Sequence, residues 1–114
     1  MHVPAMLLIG LSLVGNVGAI VPTYNVKPTC RAAIEMAGML GRTVAMCEAS
    51  EAQARAEIVK AWSGFTDSTK ERCIRTGAGH APSYVELIIC LESVSDQQKR
   101  QEEEKAPARR PQSH

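Results

Sequence analysis

The side chains best suited to chemistry in this sequence are four cysteines and one internal histidine. In the stretch RTGAGHAPSYVELIICLE, His80 lies in a glycine-containing loop between Cys73 and Cys90. A reduced cysteine beside an imidazole would form a nucleophilic pair of the kind used in covalent catalysis. An even set of four cysteines in a short chain instead indicates disulfides, so we expect no free thiol and no catalytic residue.

The spacing of the cysteines also argues against a metal site. Zinc sites use close pairs such as C-x2-C, because one tetrahedral ion must be reached from neighbouring turns of the chain. The closest cysteines here, such as Cys30 and Cys47, are 17 residues apart. We therefore expect neither a metal nor a cofactor.

Helix geometry selects among the possible disulfide pairings. Cys30 and Cys47 flank one glycine-containing turn, and Cys73 and Cys90 flank another. Two antiparallel helices joined at such a turn bring each pair to a similar height, and a disulfide tolerates Cα separations of at most about 7 Å. The favoured pairing is Cys30–Cys47 with Cys73–Cys90. The pairing Cys30–Cys73 with Cys47–Cys90 stays open, and it requires the fourth helix to lie beside the second.

The helices that would carry these cysteines are indicated by apolar periodicity and by capping residues. No segment alternates apolar and polar residues as a half-buried strand would. The predicted fold is all-α, a small four-helix bundle made of two disulfide-stapled αα-hairpins. Its helices should run from a Thr29 cap to near Leu40, from a Thr43 cap to about Ser63, from Thr66 or Ser68 to Arg75, and onward from a Ser83 cap.

Composition divides the chain into four parts. Residues 1–19 are predicted to be a signal peptide, and an uncleaved membrane anchor is the alternative. If the signal is cleaved, we expect no stable membrane insertion. Residues 20–28 predict an extended lead-in, and residues 29–95 form the helical domain. Residues 96–114 predict a charged tail that is helical at first and then disordered.

Charge and aromatic content disfavour nucleic-acid binding. The formal net charge is +1, and the only aromatic residues are one Trp, two Tyr and one Phe. Nucleic-acid binding requires clustered Lys and Arg, often with aromatic residues for base stacking. We therefore expect no nucleic-acid partner.

The start of the fourth helix is a candidate for weak anion binding. Protonated His80, the Ser83 hydroxyl and the first backbone N–H groups of the helix could converge on an anion. The alternative is a histidine in a solvent-exposed loop.

Apolar residues on two helices form a possible interaction surface. Val85 and Ile89 widen the apolar face of the fourth helix, and Trp62 ends the second helix. The simpler interpretation places the same residues in the core. On the second helix, Glu51 is expected to form an i,i+4 ion pair with Arg55.

Three segments carry a resemblance to known proteins. RTVAMCEASEAQARAEIVKAW, RCIR and PSYVELIICLE, within residues 30–94, resemble a group of short exported four-cysteine proteins of Gram-negative bacteria. The resemblance implies export and a helical fold, and implies no chemistry. Over about 20 residues, Met46, Cys47 and the following EASEAQARAEI are also similar to LprI-type periplasmic lysozyme inhibitors, although the usual Asn after Met and the terminal Tyr motif are missing.

These observations together predict an exported protein, periplasmic or secreted, that is not an enzyme. We expect it to act in protein interaction or in envelope stress, through a protein partner that the sequence does not identify. A periplasmic lysozyme inhibitor is the first alternative, and a small thiol-redox protein is the second.

Overall fold

The computed structural model describes residues 20–37 and 41–105, which form four α-helices and no strand. The all-α prediction is thus confirmed. The predicted signal peptide, the predicted end of the first helix near Leu40 and residues 106–114 of the tail lie outside the described residues. The helices are α1 (Lys27–Ala37), α2 (Val44–Ala61), α3 (Asp67–Gly77) and α4 (Tyr84–Lys105), with a 3₁₀ turn (Trp62–Gly64) after α2.

Two disulfides fasten the helices into two αα-hairpins. Cys30 of α1 is bonded to Cys47 of α2 with a Cα–Cα distance of 5.6 Å, and Cys73 of α3 to Cys90 of α4 at 5.7 Å. The favoured pairing is confirmed and the alternative is excluded. Gly41, with φ of 74°, supplies the left-handed conformation before α2 that residues with a Cβ rarely adopt.

Threonine hydroxyls cap two of the helices. The Met46 N–H donates to the Thr43 hydroxyl at the start of α2, over 3.1 Å. At the start of α3 the Thr69 N–H donates to the Thr66 hydroxyl, also over 3.1 Å. Thr66 is therefore the cap, and the alternative, Ser68, lies inside the helix.

The predicted cap of α1 is wrong. The helix begins at Lys27, and the Cys30 N–H donates to the Val26 carbonyl over 2.8 Å, so Thr29 lies inside the first turn. Its hydroxyl donates to the Pro82 carbonyl over 2.8 Å instead. Thr29 thus ties α1 to the loop before α4, a contact between residues far apart in sequence that local pattern cannot reveal.

Helix α4 is the central element of the core, because it packs against both α2 and α3 and supplies half of the buried apolar cluster. Trp62, one of the residues predicted for an interaction surface, is 6 % exposed and lies in this core, with Lys70 Nζ 4.9 Å from its ring centroid. It is therefore not available to a partner. The buried apolar cluster consists of Ala54, Ile58, Trp62, Cys73, Tyr84, Leu87, Leu91 and Val94.

The lead-in packs against the helical domain. Tyr24 lies against Tyr84, with ring centroids 4.7 Å apart, and Val21 and Val26 also contact the core cluster. The Tyr84 hydroxyl accepts from the Tyr24 N–H over 2.8 Å and donates to the Pro22 carbonyl over 2.9 Å. One side chain of α4 therefore holds the segment that precedes α1.

Removing the Tyr84 hydroxyl should weaken the attachment of the lead-in to the helical domain. In Tyr84→Phe the Tyr24 N–H and the Pro22 carbonyl lose their partner, and we expect a loss of about 1–2 kcal/mol of stability. Hydrogen exchange should show faster exchange at the Tyr24 amide, with little change in the middle of α4. An unaltered Tyr24 amide would contradict this account of the lead-in.

The Tyr24 phenol should make the protein less stable in alkali. Burial, with a smaller contribution from the nearby Tyr84, raises the Tyr24 pKa above its ordinary value of 10.0. The folded state thus favours the neutral phenol, so this contribution to stability is present below pH 10 and is lost as the pH rises through the higher pKa of the folded state. Melting temperature measured from pH 9 to 12 should fall more steeply for the wild type than for Tyr24→Phe; parallel curves would contradict the assignment.

Among residues 20–37 and 41–105, no helix combines the length and the apolar character that a membrane crossing requires.

Helix α4 continues well beyond its last buried residue, Val94, into the charged segment.

Candidate functional site

The start of α4 is capped by Ser83, as its sequence predicts. The Glu86 N–H donates to the Ser83 hydroxyl oxygen over 3.2 Å, and the Leu87 N–H donates to the Ser83 carbonyl over 3.1 Å. Both bonds satisfy groups at the first turn of the helix.

A buried carboxylate from α2 completes this cap. Glu51 is 5 % exposed, and its two oxygens accept from the Ser83 hydroxyl, over 2.7 Å, and from the Tyr84 N–H. A negative charge at a helix N-terminus is favoured by the helix dipole and by the unpaired N–H groups there. Glu51 therefore joins α2 to α4 by a charge-assisted contact.

The expected Glu51–Arg55 ion pair is wrong. The Arg55 guanidinium lies over the Tyr84 ring instead, 5.9 Å from its centroid. The one ion pair in the described part of the chain joins Lys70 and Asp67, at 3.8 Å.

The predicted anion site is also not formed as expected. The Ser83 hydroxyl and the Tyr84 N–H already bind the Glu51 carboxylate, so the anion at this helix end belongs to the chain itself. His80 is exposed, and its backbone N–H donates to the Gly77 carbonyl within the α3–α4 turn. Local sequence patterns do not reveal the contact between Glu51 and Ser83, because the two residues are 32 positions apart.

All four cysteines are in disulfides, so His80 has no thiol beside it with which to form a nucleophilic pair. Within residues 20–37 and 41–105, no three side chains of His, Cys, Asp or Glu converge as a metal site would require. Disulfides form and persist in oxidising surroundings, and these two indicate a compartment other than a reducing cytoplasm.

A small apolar cavity of about 260 Å³ lies between α3 and α4, beside the lead-in. Its main walls are Tyr24, Pro82, Leu87, Ile89 and the Cys73–Cys90 disulfide. Of the described residues that line it, Glu86 is the only Asp, Glu, Lys or Arg. We call this space the disulfide cavity.

A larger cleft of about 580 Å³ lies where α1, α2 and the start of α4 meet. Arg42, Ser50 and Glu51 line it, and the Arg42 guanidinium donates to the Ser50 hydroxyl over 3.3 Å. The two spaces share His80, Ala81, Ser83 and Glu86, so the loop before α4 forms the ridge between them.

The residues predicted for an interaction surface occupy different environments. Ile89 is 57 % exposed at the disulfide cavity, whereas Val85 is partly buried against the core. The disulfide cavity and Ile89 are thus the candidate site. The sequence places Glu86 in a capping box with Ser83, and nothing in that pattern indicates that Glu86 also lines a cavity.

No protein-family model matches the chain, and comparisons with curated proteins and with solved structures gave no match either.

Proposed function

We propose that the chain is an exported protein-interaction module of the periplasm or the extracellular space, and that it works without catalysis. The observation that carries this proposal is the exposed Ile89 at the mouth of an apolar cavity. Exposed apolar surface beside a concave site is characteristic of places where a partner binds.

The chemistry of the remaining side chains supports the same proposal. The cysteine sulfurs are bonded to one another, and the Ser83 hydroxyl and the Glu51 carboxylate are bonded to each other and to the start of α4. The thiols, the Ser83 hydroxyl and the Glu51 carboxylate therefore hold the helices together, and none of them is free to act as a nucleophile or base.

Site-specific photocrosslinking tests the proposal. A photoreactive amino acid would replace Ile89 in the full chain, expressed in a Gram-negative host. Val59 on α2 is the matched control, because it is also apolar and β-branched, is 48 % exposed, and lines neither cavity. We expect a discrete protein adduct from position 89 and none from position 59. The absence of any adduct from position 89, or equal adducts from both positions, would contradict the proposal.

Export is tested separately by fractionation and mass spectrometry. We expect the processed chain in the periplasm or medium, four hydrogens lighter than its reduced form. Full-length chain in the cytosol with alkylatable thiols would refute this part of the proposal.

A further inference from the structure

We propose that the disulfide cavity binds a lysine or arginine side chain presented by a partner protein with a basic surface. This inference rests on the proposed interaction function and specifies the partner's chemistry.

The size of the cavity favours a single side chain. Its volume, about 260 Å³, lies below the range of roughly 300–1,000 Å³ that is usual for sites of small organic ligands. A single long side chain inserted from a neighbouring surface matches this volume better than a complete ligand does.

The walls suit the hydrocarbon part of a basic side chain. Leu87, Ile89, Tyr24 and the Cys73–Cys90 disulfide offer apolar surface, against which the methylene groups of lysine or arginine can pack. The charged group would then reach the polar rim, where Ser83, His80 and Glu86 lie.

The charge at the rim selects a cation. Glu86 is exposed, and its carboxylate pairs with no cation among the described residues. Helix α3 contributes Cys73, Thr76 and Gly77 to the lining, none of which is charged. His80 lies at the same rim but forms no ion pair with Glu86, and Arg42 lines the larger cleft on the other side of the ridge, where it donates to Ser50.

The surroundings of Ile89 favour a protein surface over a free amine. Glu86 precedes Ile89 by three residues and Glu92 follows it by three, so both lie about one helical turn away. Both carboxylates are exposed, and they flank the apolar side chain along α4. A partner with a central basic anchor and further basic residues around it complements this arrangement.

Binding of the anchor alone is measurable with a model compound. The isotopically labelled full chain would be titrated with N-acetyl-arginine methylamide, and with the neutral isostere N-acetyl-citrulline methylamide, while amide signals of Gly77 and Ile89 are followed by NMR. We expect weak, saturable binding of the arginine compound and about fivefold weaker binding of the citrulline compound, the upper end for an exposed ion pair. Glu86→Gln should remove the preference, and Glu57→Gln, an exposed glutamate on α2, should retain it.

A steric variant tests the cavity independently of charge. A Cβ at Gly77 or at Gly79 would meet no atom within 4 Å, but only Gly77 lines the cavity. Gly77→Leu should abolish binding of the arginine compound, whereas Gly79→Leu should leave it unchanged. Circular dichroism of each variant confirms that it is folded.

The photocrosslinking experiment then separates the two proposals. If the adduct from position 89 is lost in Glu86→Lys and retained in Glu57→Lys, the inference is supported. An adduct that persists in both Glu86→Lys and Gly77→Leu overturns the inference and leaves the interaction function intact. The absence of any adduct overturns the interaction function, and binding of the arginine compound alone would then identify a site for free cations rather than for a protein. Equal binding of the arginine and citrulline compounds overturns the selection of a cation.

Discussion

Reducing both disulfides should unfold the protein at 25 °C. In the chain-entropy description, a bridge that closes a loop of this length contributes roughly 3 kcal/mol, so the two together contribute about 6 kcal/mol. Folded domains as a class are stable by only about 5–15 kcal/mol, and small ones lie at the lower end. Far-UV circular dichroism with and without a phosphine reductant should show loss of most of the helical signal.

Removing one disulfide at a time should show which of the two contributes more to the stability of the domain. The Cys73–Cys90 bridge adjoins the core cluster around α4, so Cys73→Ala with Cys90→Ala should lower the melting temperature more than Cys30→Ala with Cys47→Ala. Each loss should be of the order of 10–20 °C for a domain of this size. A reduced protein that still melted cooperatively within a few degrees of the oxidised one would show that apolar packing alone suffices.

Truncation of Glu51 should be far more damaging than truncation of an exposed glutamate on the same helix. Glu51→Ala leaves the Tyr84 N–H and the Ser83 hydroxyl without their acceptor at a buried helix end, and we expect a loss of about 3 kcal/mol. Glu51→Gln keeps the shape and one acceptor oxygen, so its cost should be nearer 1–2 kcal/mol. Urea unfolding followed by circular dichroism measures both values.

Two further variants show whether the loss of stability in Glu51→Ala comes from the lost contact with α4. Glu57→Ala lies on an exposed position of the same helix and should change stability by less than about 0.5 kcal/mol. Ser83→Ala combined with Glu51→Ala should cost less than the sum of the single changes, because the two side chains share one hydrogen bond. If Glu51→Ala were as mild as Glu57→Ala, the carboxylate would not be holding α4.

The features that the sequence predicted correctly depend on short separations along the chain. Thr43 and Ser83 cap helices through N–H groups three residues away, and those residues are visible in any local window. The disulfide pairing follows from the same kind of reasoning, because a turn fixes the heights of both cysteines in a hairpin.

The features that the sequence did not reveal join distant segments. For Glu51, the local sequence offered Arg55, one helical turn away, as an ion-pair partner, yet the partners of Glu51 lie at the start of α4. For Thr29, the local prediction was a cap, yet its hydroxyl binds the Pro82 carbonyl. The lead-in was predicted as extended because of its prolines, and its packing on Tyr84 depends on a helix 60 residues later. The cavity beside Ile89 likewise arises only when α3, α4 and the lead-in meet.

The two bridges join consecutive cysteines along the chain, and this order bears on biogenesis. A polypeptide that enters an oxidising space amino end first exposes Cys30 and Cys47 before Cys73 arrives, so the first thiol has only its correct mate available. The second pair then forms with no competitor left. Correct oxidation should therefore need a thiol oxidant alone, without an isomerase to shuffle mispaired intermediates.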